Sequence, residues 1–380
     1  MNPKIQQYFL DILEDRRQER SARLLARFLG GLSLLYGVAV QTRHFLYRLG
    51  LSRRKTLGCM IVSVGNLTVG GTGKTPVVEM FARALRDGGR RVAILSRGYK
   101  RKNAPLWDVL LRRAGKYRPD IVSDGHKILM NSAASGDEPA MLAKNLPGVA
   151  VIVDKNRVKS GSYAIQTMGV DTLILDDGFQ YLPLGRKVDV VLVDATNPFG
   201  NGRLLPRGIL REPLKNLARA DYIFITKTEG LDVGPLRKHL REWNVGAPIL
   251  ECRHEPKHLV DLVSSSVKPL SFLQDKKVAV LTAIASPGGF EKALRSLGAQ
   301  LAITIRYPDH HRFTEREINE VVQEMSRKKV EVIVTTEKDA VRFPSLERRN
   351  VPVYFLRVEI QLTEGTRDFN DCVARICNVT

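Results

Sequence analysis

The apolar positions in the first 55 residues repeat with the period of a helix. Five of them lie three or four residues apart, on one face of such a helix: Leu25, Phe28, Leu32, Leu35 and Ala39. Arginine and lysine surround this apolar stripe on both sides, from Arg16 to Lys55. The pattern is typical of a helix that lies in a membrane interface, and equally of a helix that packs on the protein's own core with a solvated basic face.

From Gly58 onwards the pattern changes to short apolar runs that are rich in β-branched residues and separated by helical stretches. The runs are CMIVSVG at 59–65, RRVAILS at 90–96, GVAVIVD at 148–154, VDTLILDD at 170–177, VDVVLVDA at 188–195 and ADYIFITK at 220–227. This alternation predicts an α/β fold built on a parallel sheet with helices on both faces.

A second set of apolar runs follows residue 230 and predicts another, smaller α/β unit. Its runs are KKVAVLTAI at 276–284, AQLAITIRY at 299–307, VEVIVTT at 330–336 and VPVYFLRVEI at 351–360, with helical stretches at 288–297 and 314–325. We therefore expect three parts: a basic amphipathic helix at 1–55, a core domain at 56–230, and a smaller domain at 231–380 that closes over the site and whose last residues can pack back on the core. A basic, irregular insertion at 100–120 has no assigned role.

The composition is that of an ordinary globular chain with an excess of positive charge. Of its 380 residues, 43% are hydrophobic and 26% are charged, and 60 Lys and Arg against 40 Asp and Glu give a formal net charge of +20. Such an excess favours anionic partners, namely nucleic acid, phospholipid headgroups or phosphorylated substrates, and does not choose among them. No zinc-ligand spacing, aromatic RNA-binding signature or recognition helix supports nucleic acid, so we expect none.

Cysteine usage and the N-terminal region bear on the cellular compartment of the protein. The four cysteines, at 59, 252, 372 and 377, form no C-x-x-C pair, which favours free thiols in a reducing compartment. Charged residues, DILEDRRQER at 11–20, stand where the apolar core of a secretory signal would follow the first residues. The longest apolar run, at 28–40, is shorter than the ~20 residues that a membrane-spanning helix needs. Its Gly30 and Gly31 also allow a break into two helices.

The first apolar run leads into a glycine-rich loop, VGNLTVGGTGKTP at 64–76, that ends like a phosphate-binding loop. The usual form is G-x-x-x-x-G-K-[ST], and here Thr68 stands in place of the first glycine. A strand that feeds such a loop and a helix that follows it present backbone N–H groups to an anion. Lys74 would then reach the terminal phosphates and the Thr75 hydroxyl would sit on Mg²⁺. We assign to the nucleotide Thr68, Gly70, Gly71, Thr72, Gly73, Lys74, Thr75 and Pro76.

Two acidic pairs and a histidine pair are further candidates for chemistry. Asp176 and Asp177 end a buried run, at the sheet edge where the phosphate loop lies, and supply the oxygen ligands that Mg²⁺ prefers; helix capping by one of them is the alternative. Asp137, in SGDEP, could deprotonate a hydroxyl, but a cap or turn role is as well supported. His310 and His311, in YPDHHRF, leave the same choice between proton transfer and a surface loop.

Together these segments resemble the tetraacyldisaccharide 4'-kinase family, lipid A pathway enzymes that phosphorylate the 4'-hydroxyl of an acylated disaccharide 1-phosphate. The motifs that carry the resemblance are, in order, VGNLTVGGTGKTPVV from residue 64, SRGY at 96–99, SGDEP at 135–139, DDGFQ at 176–180, FGNGRLLPRGILREP at 199–213, PDHHRFT at 308–314 and TTEKDAVRF at 335–343. The family's loop also carries a threonine where the first glycine of the usual loop is expected.

The resemblance implies a P-loop NTPase-like core and a role for each candidate residue. Asp137 and His310 would form an acid–base pair that activates the sugar hydroxyl, with His311 as the competing choice. The residues implied at Mg²⁺ are Thr75, Glu138, Asp176 and Asp177, and those implied at the substrate or nucleotide cleft are Arg97, Tyr99 and Gln180. ATP is the implied co-substrate. Many members have a histidine where this chain has Tyr181, so any contact made by that imidazole is in doubt.

The resemblance also changes the interpretation of the N-terminal helix. An enzyme whose acceptor carries acyl chains must meet it at a membrane, so the helix is expected to be an interfacial anchor and the net charge to attract an anionic surface. We therefore expect a peripheral protein on the cytoplasmic face of the bacterial inner membrane, which binds the acylated disaccharide 1-phosphate and needs no obligate protein partner.

Two other functions fit parts of the sequence. A regulatory or metal-insertion GTPase of the related SIMIBI type would carry an N/T-K-x-D element for guanine; TKTE at 226–229 follows a strand at a suitable position, but Glu229 replaces the aspartate. A membrane-bound structural protein with a relict phosphate loop would not need to keep Lys74 and Thr75 together with both acidic pairs. A nucleotide-preference assay separates the first of these from a kinase.

Overall fold

The computed structural model describes residues 8, 11–13, 15, 17, 19–98, 118–344, 346 and 351–378. Tyr99 and positions 100–117 of the predicted insertion lie outside the described residues. The strands are β1 Met60–Asn66, β2 Val92–Ser96, β3 Asp120–Asp124, β4 Ala150–Val153, β5 Thr172–Asp176, β6 Val188–Asp194, β7 Tyr222–Thr226, β8 Ile249–Asp261, β9 Val267–Lys268, β10 Lys277–Thr282, β11 Gln300–Arg306, β12 Val332–Thr336 and β13 Val353–Glu364.

The helices of the described residues alternate with these strands. They are α1 Arg20–Arg48, α2 Lys74–Asp87, α3 Ser132–Ser135, α4 Asp137–Asn145, α5 Arg157–Met168, α6 Gly234–Trp243, α7 Pro287–Ser296, α8 Glu315–Lys328, α9 Glu337–Ala340 and α10 Thr366–Cys377. Short 3₁₀ segments lie at Leu214–Arg219 and Leu270–Leu273. The predicted α/β fold is confirmed.

The chain forms two compact units, and they do not follow the chain order. The first unit contains residues 1–97, 154–253 and 362–380, and the second contains 98–153 and 254–361. The prediction placed one boundary at residue 230. The segment before β4 belongs with the later strands because α4 contacts α9 and because the hydroxyl of Ser132 donates to the carbonyl of Val341 at 2.6 Å.

The sheet of the first unit has the strand order β8-β7-β6-β1-β5-β2, and all of its neighbouring strands are parallel. Strands β5, β6 and β7 are buried at every position, which explains why they appear in the sequence as unbroken apolar runs. The chain leaves β1 towards β2 and later crosses to β6 on the other side of β1. The carboxyl end of β1 is therefore a topological switch point, where open α/β sheets bind their ligands.

The C-terminal helix α10 is part of the first unit's core. Phe369 of this helix packs edge-on against Phe81 of α2, with ring centroids 5.0 Å apart, and against Phe224 of β7 at 6.5 Å. Phe81 and Phe224 are completely buried. Because aromatic side chains bury large areas and favour such edge-to-face contacts, this cluster fastens the end of the chain to the helix that follows the phosphate loop.

Helix α1 is a single continuous helix of 29 residues, so Gly30 and Gly31 do not break it. Within the first unit it packs on the loop around Leu204, whose carbonyl accepts a hydrogen bond from the Ser33 hydroxyl at 2.8 Å. By length and composition α1 is long and apolar enough to cross a membrane, which the 13-residue apolar run at 28–40 did not indicate. A buried core helix passes the same test, but only 6% of the apolar window of α1 is buried.

The second unit contains its own parallel strands and two apolar clusters. Strands β11, β10, β12 and β13 pair in parallel in that order, whereas β3 pairs antiparallel with β4 and β9 with β8. Helix α8 begins with a complete capping box, in which Thr314 and Glu317 bond reciprocally to each other's backbone. The predicted smaller α/β unit is confirmed, and it includes the loops that follow β10, β11 and β12.

Candidate active site

The glycine-rich loop of the first unit joins β1 to α2 at the switch point. Gly70 and Gly73 have φ angles of 115° and 78°, in the region that favours glycine, and Gly73 is the residue that precedes the first turn of α2. A helix that begins at Lys74 directs its N-terminal N–H groups and its dipole towards this loop. The predicted strand–loop–helix arrangement is therefore present.

Thr68 replaces a glycine without strain because its backbone is held as in a strand. It forms an antiparallel bridge with Leu210, and the neighbouring Val69 N–H donates to the carbonyl of Ile209 at 2.8 Å. The side-chain amide of Asn66 also donates to the Thr68 carbonyl at 2.8 Å. The loop at Thr68 is thus tied to the chain at 209–211, and this position does not need a glycine.

Lys74 lies between two oxygen groups of the first unit. Its ammonium donates to the side-chain oxygen of Asn66 at 3.1 Å and lies 3.5 Å from a carboxylate oxygen of Asp177. Asn66 was not among the predicted site residues, since an asparagine at a strand end has no distinctive pattern. These contacts hold the ammonium at the start of α2, beside the N–H groups of the loop.

The carbonyl groups of the loop are bonded to the end of β7. The Thr226 hydroxyl donates to the carbonyl of Thr72 at 2.9 Å, and the ammonium of Lys227 donates to the carbonyl of Gly71 at 2.9 Å. Lys227 also pairs with Asp194 at the end of β6. The first two residues of TKTE therefore support the phosphate loop, and a loop whose carbonyls are bonded in this way can turn its N–H groups to an anion.

Asp176 and Asp177 end β5 beside this loop. Asp176 is buried and accepts a hydrogen bond from the Ser96 hydroxyl at 3.0 Å. Asp177 has a φ angle of 52° and accepts two hydrogen bonds of 2.8 Å from Arg211. Burial raises the pKa of Asp177, but Lys74 and Arg211 outweigh it, so its pKa lies below the ordinary range. Asp177 is therefore ionised and balanced by two cations.

Arg157 fixes the backbone of the two aspartates from the other side. This buried guanidinium donates to the carbonyl of Asp176 at 2.7 Å and to that of Asp177 at 3.0 Å. The backbone N–H of Arg157 donates to the Tyr181 hydroxyl at 3.0 Å, and the guanidinium carbon of Arg157 lies 5.2 Å from the centre of the Tyr181 ring. Tyr181 thus supports the start of α5.

The two described cleft candidates differ in their surroundings. The side-chain amide of Gln180 donates to the carbonyl of Asn66 at 2.9 Å, and its oxygen accepts from Arg211 at 3.3 Å, so it links β1 to the DDGFQ segment. Arg97 is exposed directly after β2. Tyr99 lies outside the described residues.

The second unit brings Asp137 and His310 together, although 173 positions separate them in the chain. Asp137 is the first residue of α4, and one of its carboxylate oxygens lies 2.9 Å from Nδ1 of His310. The same oxygen accepts a hydrogen bond of 2.8 Å from Nε of Arg342. Burial raises the pKa of Asp137, but His310 and Arg342 outweigh it, so its pKa lies below the ordinary range.

His311 has different partners from His310. Its Nε2 lies 2.9 Å from Glu317 of the α8 capping box, and its ring stacks on Tyr307 with centroids 4.6 Å apart. The structure therefore pairs His310 with the candidate base and joins His311 to the start of a helix.

The predicted magnesium ligands are divided between the units. Thr75, Asp176 and Asp177 belong to the first, whereas Glu138 belongs to the second and pairs with Lys338 at 3.2 Å. Within the part of the chain that the structure describes, no group of three or more His, Cys, Asp or Glu side chains could hold a metal ion by itself. The oxygen donors of Thr75 and Asp176 nevertheless fit Mg²⁺, which typically takes one or two carboxylates together with phosphate oxygens.

A parallel sheet with a glycine-rich loop at its switch point, a lysine and threonine at the helix start and acids on the next strand defines a P-loop nucleotide-binding protein. The family model described as tetraacyldisaccharide-1-P 4'-kinase matches residues 25–378 of this chain. The chain belongs to the tetraacyldisaccharide 4'-kinase family, and it is accordingly a kinase, which contradicts the GTPase and structural-protein alternatives.

Individual relatives agree with this assignment over most of the chain. The tetraacyldisaccharide 4'-kinase of Syntrophus aciditrophicus is 39% identical over 358 residues, which are 91% of each protein. That of Anaeromyxobacter dehalogenans strain 2CP-C is 42% identical over 87% of this chain and 85% of its own. A crystal structure of LpxK from Aquifex aeolicus in complex with ATP superimposes with a TM-score of 0.74 at 32% identity, covering 93% of this chain and 99% of that one.

Proposed function

We propose that the protein transfers the γ-phosphoryl group of ATP to the 4'-hydroxyl of a tetraacyldisaccharide 1-phosphate, giving the 1,4'-bisphosphate. The observation that carries this proposal is the 2.9 Å contact between Asp137 and His310. A switch protein that only hydrolyses its nucleotide needs to orient a water, whereas a kinase for a sugar needs a group that accepts a hydroxyl proton. Family membership and the ATP in the similar Aquifex aeolicus protein support the donor.

The first unit binds the donor in this mechanism. The loop N–H groups and Lys74 would hold the phosphates, and Lys74 would exchange its contacts with Asn66 and Asp177 for contacts with phosphate oxygens. Arg211, which already balances Asp177, keeps that carboxylate ionised when the lysine turns to the nucleotide. The proposed nucleotide residues remain Thr68, Gly70, Gly71, Thr72, Gly73, Lys74, Thr75 and Pro76.

The residues that would hold Mg²⁺ are Thr75, Asp176, Asp177 and Glu138. When bound, the ion would neutralise charge on the phosphate oxygens during transfer. Asp176 is the strongest of these candidates, because it is a buried carboxylate at the end of β5, beside the phosphate loop.

The second unit supplies the acid–base pair. Asp137 stays ionised at neutral pH because His310 and Arg342 hold its pKa below the ordinary range. The pair takes the proton from the 4'-hydroxyl as the sugar oxygen forms its bond to the γ-phosphorus and the bond to the bridging oxygen of ADP breaks. Arg97, Tyr99 and Gln180 remain our candidates for contacts at the substrate or nucleotide cleft.

Helix α1 is the proposed membrane contact. Large apolar side chains on it are exposed in the first unit, among them Leu24, Phe28, Leu34, Leu35 and Val38. Together with the surrounding arginines they favour peripheral binding to the anionic cytoplasmic face of the inner membrane, where an acylated substrate resides.

The direct test is incubation with ATP, Mg²⁺ and the tetraacyldisaccharide 1-phosphate, with the product read by mass for one added phosphate. Single-turnover rates of Asp137→Asn then test the acid–base pair, with Asp371→Asn, on the exposed surface of α10, as the matched control. We expect a loss of about 10²- to 10⁴-fold for the first variant and no loss for the control. An undiminished rate for Asp137→Asn at saturating substrate would refute its role.

A further inference from the structure

Arg342 is a completely buried cation that contacts both members of the Asp137–His310 pair. Its side chain is 0% exposed, and its Nε and Nη2 each lie 2.8 Å from Oδ2 of Asp137. The same Nη2 lies 3.0 Å from Nδ1 of His310. One guanidinium therefore meets the carboxylate and the imidazole at the point where they meet each other.

Asp339 holds this guanidinium from the opposite side. Nη1 of Arg342 donates to Oδ1 of Asp339 at 2.8 Å and to the carbonyl of Ala283 at 2.9 Å. The other oxygen of Asp339 accepts from the Ala283 N–H at 3.0 Å and from the Thr336 hydroxyl at 2.7 Å. A planar guanidinium with donors engaged on two edges has one orientation open to it.

The backbone of His310 is fastened to the same place. Its N–H donates to the carbonyl of Ala283 at 3.1 Å, the carbonyl that also accepts from Arg342. The φ angle of His310 is 67°, a conformation that costs free energy in a residue other than glycine and persists only where the surroundings impose it. The loops after β10, β11 and β12 thus converge on Ala283 and Arg342.

Two groups are possible partners for Nδ1 of the His310 imidazole. Oδ2 of Asp137, at 2.9 Å, is an acceptor and pairs with a hydrogen on Nδ1, whereas Nη2 of Arg342, at 3.0 Å, is a donor and would pair with a lone pair on Nδ1. Nη2 also lies 2.8 Å from Oδ2 of Asp137, and when its hydrogen points to that carboxylate, Nδ1 can donate to the same oxygen. A competing carboxylate, Asp309, lies 3.6 Å from Nε2 of His310 and favours a proton there. The tautomer with hydrogen on Nδ1 is therefore favoured only while Oδ2 of Asp137 is held in its position beside that nitrogen.

We propose that Arg342, held by Asp339, is a positioning residue that fixes the carboxylate of Asp137 and so keeps His310 in the tautomer with hydrogen on Nδ1. The inference rests on the proposed function, because it explains how the acid–base pair is prepared for the sugar hydroxyl. Neither Arg342 nor Asp339 was among the candidates from the sequence.

The test compares Arg342→Met and Arg342→Lys with the matched control Arg357→Met. Arg357 is also a buried arginine of the second unit, and it pairs with Glu337 at 2.8 Å and with Glu359 at 3.4 Å. For Arg342→Met we expect kcat to fall about 10- to 100-fold with the KM for ATP within about twofold, because the phosphate loop belongs to the other unit. Arg342→Lys keeps the positive charge but not the planar guanidinium, so its kcat should lie between that of Arg342→Met and that of the wild type.

The second readout is the tautomer of His310 in ¹⁵N-histidine-labelled protein without substrate, with the signals assigned by His310→Gln. The wild type should show hydrogen on Nδ1, and the Arg342 variants a mixture with the Nε2–H form. An unchanged tautomer in both variants, or a kcat of Arg342→Met equal to that of Arg357→Met, would overturn the proposal. If Arg342→Met does not fold, Arg342→Lys supplies both measurements.

The two readouts also separate this inference from the proposed function. A wild-type protein that adds no phosphate to the disaccharide contradicts the function, while the spectrum of His310 still decides whether Arg342 selects its tautomer. If the wild type phosphorylates the disaccharide but the His310 tautomer is unchanged in the Arg342 variants, the result contradicts only the inference about Arg342.

Discussion

The ammonium of Lys74 lies 3.5 Å from the carboxylate of Asp177, which is also bound by Arg211. The lysine of the phosphate loop is therefore placed by the acidic pair at the end of the neighbouring strand. A cation that is positioned in advance loses little free energy when it turns to a phosphate, and electrostatic catalysis depends on such preorganisation.

Lys74→Met should abolish most of the activity without unfolding the protein. Removal of one preorganised donor to a developing charge typically costs 10²- to 10³-fold in kcat, and Asp177 keeps Arg211 as its counter-ion, so no unpaired buried charge remains. The measurement is single-turnover phosphoryl transfer at saturating ATP. Lys238→Met, at an exposed position of α6, is the control and should retain the full rate.

Local patterns in the sequence were sufficient to predict the sheet and the phosphate loop. Buried parallel strands such as β5 and β6 are continuous apolar runs, and a loop between a strand and a helix has its own residue signature. The order of the two units was not predictable in this way, since β3 and β4 belong with strands that come much later in the chain. Long-range packing of that kind has no local period.

Gly65 shows how closely β1 approaches the DDGFQ segment. A Cβ at this position would lie 2.6 Å from Cβ and 2.7 Å from the backbone nitrogen of Phe179, which is itself completely buried. Gly65→Ala should therefore lower the free energy of unfolding by roughly 1–3 kcal/mol and weaken ATP binding, because β1 leads directly into the loop. Urea unfolding measures the first effect. Gly246→Ala, where a Cβ meets nothing within 4 Å, should change neither quantity.

The candidate site was predictable to different degrees for its different residues. Asp137 and His310 were identified through the resemblance to a family, since nothing in their spacing of 173 positions predicts a contact. Arg157, Arg211 and Arg342 were missed because an arginine in a basic chain carries no signal of its own. Each is recognisable only once its buried partner is known.

Glu212 connects helix α1 to the first unit's core through a buried carboxylate. Its Oε2 lies 3.0 Å from Nε2 of His44 and accepts from Arg219 at 2.7 Å. Glu212→Gln should lower the free energy of unfolding by about 3–5 kcal/mol at neutral pH, since it leaves Arg219 without its buried counter-ion. Glu242→Gln, in an exposed pair with His239, should cost less than about 1 kcal/mol.

The effect of Glu212 should also depend on pH in a defined direction. Burial raises its pKa, but hydrogen bonding to His44 and the charge of Arg219 outweigh it, so the folded-state pKa lies below the ordinary value of about 4.3. The stability that the carboxylate contributes is complete above that value and is lost as the pH falls through the folded-state pKa. The difference in unfolding free energy between wild type and Glu212→Gln should therefore shrink below about pH 4. A difference that grows on acidification would contradict this.

Membrane binding by α1 can be tested without removing the helix, which matters because Ser33 and Glu212 tie it to the first unit. Leu34, Leu35 and Val38 are 73%, 68% and 65% exposed, so their replacement by serine should leave the fold intact. If each loses about 1 kcal/mol of burial in the lipid interface, the triple variant should bind anionic vesicles ~100-fold more weakly than wild type. Val245→Ser, which alters an 82% exposed valine outside α1, is the matched control.

Co-sedimentation with the vesicles measures the partitioning of each variant. Added salt weakens the contribution of the arginines by screening but does not weaken that of the apolar side chains, so it separates the two contributions. Equal binding by the triple variant and the control would mean that the exposed face of α1 does not enter the membrane.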